Sequence, residues 1–71
     1  MDFEEFTNLV NKHDLTYEYS DDHSVWQRGQ ASYDRIKAES KHFPPEDVKR
    51  VWNAMVDKQF RPDSRANFYW R

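Results

Sequence analysis

Two adjacent prolines near the middle of the chain, Pro44 and Pro45, constrain the fold more than any other feature. The residue before a proline is pushed out of the α region, so Phe43 cannot continue a helix. A proline at the first helical position, followed by acidic residues in the first turn, starts a new helix. The sequence therefore predicts one helix that ends at Lys41 and a second helix over residues 46–58.

Apolar residues recur at the helical period on both sides of this break. After the prolines, the stripe consists of Val48, Val51, Trp52, Met55 and Val56. Residues 3–13 show the same period behind Asp2, a candidate N-cap with an acidic residue three positions later. The helix before the prolines either begins near Ser32 or extends back across Gly29. In both cases we expect Trp26 to pack inside.

Two other segments alternate apolar and polar side chains, which is typical of strands. They are residues 15–20 and residues 66–70, and a turn at residues 62–64 separates the second from Phe60. The predicted fold is therefore α+β, with three helices and a small antiparallel sheet. At 71 residues the chain is expected to form a single compact domain over residues 1–71.

The predicted order of helix, strand, two helices, strand, turn and strand resembles that of winged helix-turn-helix domains. Ala38 stands ten residues before Val48, and Val51 follows three residues later. Helix-turn-helix units place a small residue against two branched ones at this spacing. The turn at residues 42–44 departs from the family, which usually has glycine there. The resemblance implies DNA binding, with the helix over residues 45–58 in the major groove and the following turn as the wing.

The leading functional hypothesis is a small regulator or architectural factor that binds double-stranded DNA. Arginine and asparagine can read guanine and adenine edges in the major groove, and arginines beside a wing can reach phosphates. The candidate DNA-binding residues are Lys49, Arg50, Asn53, Arg61 and Arg65. Alternatively, Glu46 and Asp47 pair with Arg50 and merely stabilise an exposed helix. A homodimer fits the DNA hypothesis, because one helix covers only a short site.

The uneven distribution of charge supports a second hypothesis. Residues 1–27 contain seven Asp and Glu and one Lys, whereas residues 28–71 contain ten Lys and Arg and six Asp and Glu. An acidic half is suited to a basic surface on a protein partner. In this respect the chain is similar in style to the early gene products with which phages inhibit or redirect host polymerases and nucleases. The candidate partner-binding residues are Glu4, Glu5, Glu18, Asp21, Asp22 and Tyr69.

Several classes of function lack a signal in the sequence. The chain has no cysteine, no phosphate-binding loop and no pairing of nucleophile and base, so we expect neither an enzyme nor a cofactor. The His-Asp pairs at residues 13–14 and 21–23 lack the spacing of metal ligands, and no metal site is predicted. No apolar run approaches the roughly 18 residues that span a bilayer, and no signal peptide follows Met1, so a cytoplasmic location without a membrane partner is expected.

Overall fold

Helices make up all the regular structure of this protein. The computed structural model describes the backbone of residues 1–71 and every side chain except that of Tyr19. Three α-helices, α1 (Phe3–Lys12), α2 (His23–Ser40) and α3 (Pro45–Gln59), are accompanied by 3-10 helices at Leu15–Tyr19 and Arg65–Asn67. The described residues contain no strand, so the predicted α+β winged fold with an antiparallel sheet is wrong. Within the same residues, no helix is long and apolar enough to cross a membrane.

The helix starts are set by the residues that precede them. The carboxylate of Asp2 accepts a hydrogen bond from the Glu5 amide at 2.8 Å, which confirms Asp2 as the N-cap of α1. Pro45 occupies the first turn of α3, as predicted. Helix α2 begins earlier than Ser32, because the carboxylate of Asp22 accepts from the Ser24 amide at 2.9 Å. The longer of the two alternatives for this helix is therefore correct.

Gly29, in the interior of α2, lies against the first 3-10 helix, Leu15–Tyr19. A Cβ atom at this position would lie 2.5 Å from the Cβ of Tyr17 and 3.3 Å from the backbone nitrogen of Glu18. Gly29 itself is buried. The absence of a side chain at position 29 therefore lets the first 3-10 helix lie directly on α2.

The first predicted strand, residues 15–20, is a 3-10 helix over Leu15–Tyr19. The carboxylate of Asp14 accepts from the Thr16 amide at 2.9 Å and so closes the first turn locally. Leu15 is buried, but Tyr17 is 37% exposed, so the alternating apolar residues do not share one face. The Asp14 carboxylate therefore binds a backbone N–H that the prediction had assigned to a neighbouring strand.

The second predicted strand, residues 66–70, is also wrong, because the segment passes through the short 3-10 helix Arg65–Asn67 and a turn. Two side chains of α3 bind its backbone. The Trp52 indole Nε1 donates to the Phe68 carbonyl at 2.8 Å, and the Trp70 amide donates to Asn53 Oδ1 at 2.8 Å. These bonds satisfy groups that a second strand would otherwise have paired. The wing of the predicted fold does not form.

The core lies between α1, α2 and α3. Phe6 and Val10 of α1 and Ile36 of α2 have no exposed surface, and Leu15 joins them. All five residues of the predicted apolar stripe on α3 are buried, which confirms that part of the sequence analysis. Ala38, however, is exposed. The close contact between helices that the helix-turn-helix spacing implied at this residue is therefore not made.

The last residue of α3 holds the junction between α1 and the first 3-10 helix. The Gln59 Nε2 donates to the His13 carbonyl at 2.7 Å, and Gln59 Oε1 accepts from the Leu15 amide at 3.0 Å. One side-chain amide thus satisfies a carbonyl and an N–H that neither helix pairs internally.

Candidate functional site

Three of the predicted DNA-binding residues are exposed. Lys49 and Arg50 lie on the outer face of α3, and Arg61 follows the end of that helix. The Arg50 side chain is 69% exposed and lies 3.4 Å from the Asp47 carboxylate. An exposed pair of this kind is typically worth 1 kcal/mol or less, so Arg50 is not held in one geometry.

The other two predicted DNA-binding residues contact the protein itself. Asn53 binds the Trp70 amide, as described above. Arg65 donates from Nε to the Phe60 carbonyl at 3.1 Å and from Nη2 to the Asp57 carbonyl at 2.9 Å. Both side chains hold the C-terminal segment against α3. The five candidates therefore do not form a single basic surface.

The predicted partner-binding residues also divide into groups. Glu4, Glu5 and Asp21 are exposed. Asp22 is exposed but caps α2, and its hydrogen bonds from the Ser24 hydroxyl and amide lower its pKa. All four carboxylates face water.

Tyr69 and Glu18 differ from these four. The Tyr69 hydroxyl donates to Asp57 Oδ1 at 2.7 Å, and this bond raises the pKa of Tyr69. Tyr69 is half-buried rather than exposed, so its hydroxyl is already engaged. Glu18 is also half-buried and belongs to a different site, which is described below.

Trp26 contradicts the prediction that it packs inside, because 37% of its surface is exposed. The His23 ring stacks on Trp26 with a centroid separation of 5.8 Å and an interplanar angle of 12°. A shallow depression is lined by Ser20, Asp21, His23 and Trp26. We name these four residues, with the capping Asp22, the acidic aromatic surface.

A second concave site, of about 300 Å³, lies between the C-terminal segment, α2, α3 and the first 3-10 helix. We name it the aromatic pocket, and its chemistry comes from Glu18, Tyr33, Lys37, Trp52, Trp70 and Arg71. The centroid of the Trp52 ring lies 5.2 Å from that of Trp70 and 5.4 Å from that of Tyr33. The Tyr33 and Trp70 centroids are 6.4 Å apart, with an interplanar angle of 51°. The three rings thus form a corner rather than a flat stack.

Two charged groups of the aromatic pocket are held in different ways. The Lys37 ammonium lies over two rings at once, 5.3 Å from the Tyr33 centroid and 5.5 Å from the Trp70 centroid. The Glu18 carboxylate has one oxygen, Oε1, that is buried and has no hydrogen-bond partner among the described residues. Burial raises the pKa of Glu18, and the nearby charge of Asp34 raises it further.

His13 is a buried polar group next to this pocket. It is only 2% exposed, and neither ring nitrogen has a hydrogen-bond partner among the described residues. Its ring centroid lies 5.5 Å from that of Trp52 and 6.3 Å from that of Tyr33. Burial lowers the pKa of His13, and the charge of Asp14 opposes this only in part. Burial in the core therefore favours the neutral form of the His13 ring.

The aromatic pocket is not predicted by any sequence pattern, because its walls come from four separate segments. No group of three His, Asp or Glu side chains within the described residues is placed to hold a metal ion. No known protein family matches this chain, and no curated protein or solved structure matches it.

Proposed function

We propose that this protein is a non-enzymatic interaction module that binds another protein through the acidic aromatic surface. The observation that carries this proposal is the exposure of Trp26, at 37%, beside two carboxylates. Tryptophan is enriched among the residues that contribute most to protein–protein binding, and it is costly to leave in water without a partner. The stack with His23 holds the indole in place before binding.

The partner has a definable chemistry. An apolar recess would accept the Trp26 indole, and Lys or Arg side chains around it would face Asp21 and Asp22. Residues 1–27 as a whole carry seven acidic side chains against one Lys, so the attraction extends beyond the two neighbouring carboxylates. Such complementarity raises the association rate and rejects acidic competitors. A host enzyme that binds nucleic acid, such as a polymerase or a nuclease, presents a basic surface of this kind.

DNA binding is the second candidate, and the exposure of Lys49 and Arg50 on α3 favours it. Acidic side chains on the same helix, including Glu46 and Asp47, oppose it, because they would approach the phosphate backbone. The engagement of Asn53 and Arg65 inside the protein removes two of the five contacts first assigned to DNA. Protein binding is therefore the better-supported function.

The test of the protein-binding proposal compares three variants against a partner obtained in pure form. Tagged wild-type protein is used to recover the partner, which is then purified, and the affinity of each variant for it is measured by calorimetry. Trp26→Ala is expected to weaken binding by about 2 kcal/mol or more, or roughly thirtyfold. Asp21→Lys is expected to lower the association rate and its dependence on salt. Asp63→Lys makes the same charge change at another exposed acid and serves as the matched control.

Two results would overturn the proposal. One is a partner that binds wild type, Trp26→Ala and Asp21→Lys equally well. The other is an NMR titration with a short DNA duplex that gives salt-sensitive shifts at Lys49, Arg50 and Arg61, abolished by Lys49→Ala with Arg50→Ala. Sedimentation of the free protein tests for a homodimer, whose formation through Trp26 would make a second copy the occupant of this surface.

A further inference from the structure

We infer that the aromatic pocket is a binding site for an organic ammonium group, such as a lysine side chain, a methylated lysine or a small quaternary amine. This site uses different side chains from the acidic aromatic surface. Either proposal can therefore fail without the other.

The position of Lys37 supports this inference. Its ammonium lies over the Tyr33 and Trp70 rings at 5.3 Å and 5.5 Å from their centroids. These distances are within the range at which the negative face of an aromatic ring attracts a cation. The 51° angle between the two rings lets both faces address the same ammonium. The protein thus already displays, with its own side chain, the geometry that would hold an ammonium ligand.

Glu18 gives the pocket an unpaired acceptor. Its buried Oε1 lacks a hydrogen-bond donor among the described residues, although the Glu18 side chain lines the same pocket as Lys37. The described ion pairs join Arg50 with Asp47 and Arg65 with Asp57, and Glu18 takes part in neither. A buried carboxylate without a donor is unfavourable, and an N–H or a cation that enters the pocket would supply the missing partner.

The cationic and anionic groups of the pocket lie in different environments, and this favours a cationic ligand. Lys37 and Arg71 are exposed and remain hydrated, whereas the unpaired oxygen of Glu18 is buried. An anionic ligand would gain two hydrated cations but would meet Glu18, whose carboxylate repels it. A cationic ligand would contact the faces of the rings and the Glu18 carboxylate. It would displace the ammonium group of Lys37, which is exposed and can return to water. The volume of about 300 Å³ suits an alkylammonium head and its first carbons.

The experiment is an NMR titration of the labelled protein with choline, with its neutral analogue 3,3-dimethylbutanol, and with a short peptide that contains trimethyllysine. We expect choline and the peptide to shift the indole signals of Trp52 and Trp70, and the neutral analogue to bind at least fivefold more weakly. Tighter binding of the peptide would identify a protein side chain as the source of the ammonium group. Binding of choline that is as tight as that of the peptide would identify a free small amine as the source of the ammonium group.

Two variants give opposite expected results. Lys37→Met removes the resident cation and should tighten choline binding about threefold or more, because choline no longer has to displace an ammonium group from the Tyr33 and Trp70 rings. Glu18→Gln removes the buried negative charge and should weaken binding about fivefold. Lys41 is an exposed lysine at the C-terminal end of α2. Lys41→Met is therefore the matched control, and it should leave the affinity for choline unchanged.

The inference is overturned if Lys37→Met weakens binding, if the neutral analogue binds as well as choline, or if neither choline nor the peptide binds. Inorganic phosphate that binds wild type and is lost in Lys37→Met would identify an anion site instead. Spectra of each variant without ligand establish that it is folded before the titration begins.

Discussion

Replacement of Gly29 by alanine sets two physical effects against each other, and the structure decides which is larger. Alanine in place of glycine inside a helix is normally stabilising by about 1 kcal/mol. At this position, however, the new Cβ atom would lie 2.5 Å from the Cβ of Tyr17. Carbon atoms in contact normally stay about 3.5–4.0 Å apart, so one of the two segments must move by about 1 Å. Neither Cβ can rotate away, because the backbone fixes both.

The movement would lift the first 3-10 helix, Leu15–Tyr19, from α2 and disturb the buried Leu15. Overpacking of this kind typically costs about 2 kcal/mol, which is larger than the gain in helix propensity of about 1 kcal/mol. We therefore expect Gly29→Ala to lower the free energy of unfolding by about 1 kcal/mol. In a domain of this size the melting temperature should fall by about 4–8 °C.

Urea unfolding followed by tryptophan fluorescence measures this change. Ala31→Gly, at an exposed position in the same helix, is the matched control and should lose only the propensity of about 1 kcal/mol. In the double variant Tyr17→Gly with Gly29→Ala the colliding Cβ is absent, so the two changes should be less destabilising together than their sum. A Gly29→Ala protein that is more stable than wild type would show that the first 3-10 helix does not lie on α2 as described.

Three further predictions concern the core and the C-terminal segment. Stability should fall as the pH drops below 6.5, because burial lowers the pKa of His13 in the folded protein and the unfolded chain therefore binds a proton at His13 more readily. Urea midpoints measured between neutral and mildly acidic pH should show this fall in wild type. In His13→Phe that part of the pH dependence should disappear. Trp52→Ala should cost about 3–5 kcal/mol through the cavity it leaves and unfold most of the protein, and a normal melting curve for this variant would contradict the core assignment. Asn53→Ala should cost about 1 kcal/mol and speed hydrogen exchange at the Trp70 amide, whereas Asn67→Ala, on the exposed side of the same segment, should leave that exchange rate unchanged.

The parts of the fold that depend on local signals could be predicted from the sequence. Pro45 fixed the start of α3, Asp2 capped α1, and the apolar stripe on α3 is buried as its period indicated. These features involve residues within a few positions of one another. Local sequence is sufficient for them because helix hydrogen bonds and caps are themselves local.

The two predicted strands could not be decided from local patterns, because a strand forms only when another strand pairs with its backbone. Alternation at residues 15–20 and 66–70 satisfied the local requirement for a strand, but the partners of both segments are side chains. Asp14 binds the first segment, and Trp52 and Asn53 bind the second. No periodic pattern in the sequence indicates that the side chains of Trp52 and Asn53 will hydrogen-bond the backbone of the second segment.

The same limit applies to the sites. The exposure of Glu4, Glu5 and Asp21 could be anticipated from their charge, but that of Trp26 could not, since helical spacing alone favoured burial. The aromatic pocket depends on the path of the C-terminal segment, which brings Trp70 to Tyr33 across 37 positions of sequence. Only the folded chain shows this proximity.

The side chain of Gln59 has a consequence for the order in which the chain can fold during synthesis. It binds the carbonyl of His13 and the amide of Leu15 across 46 and 44 positions of sequence. While the ribosome has released only the first half of the protein, those two backbone groups lack their partner in the folded structure and remain open to water. The junction after α1 therefore closes only when residue 59 has emerged, and we expect the nascent chain to acquire its N-terminal structure late, together with α3, rather than from its first residues onward.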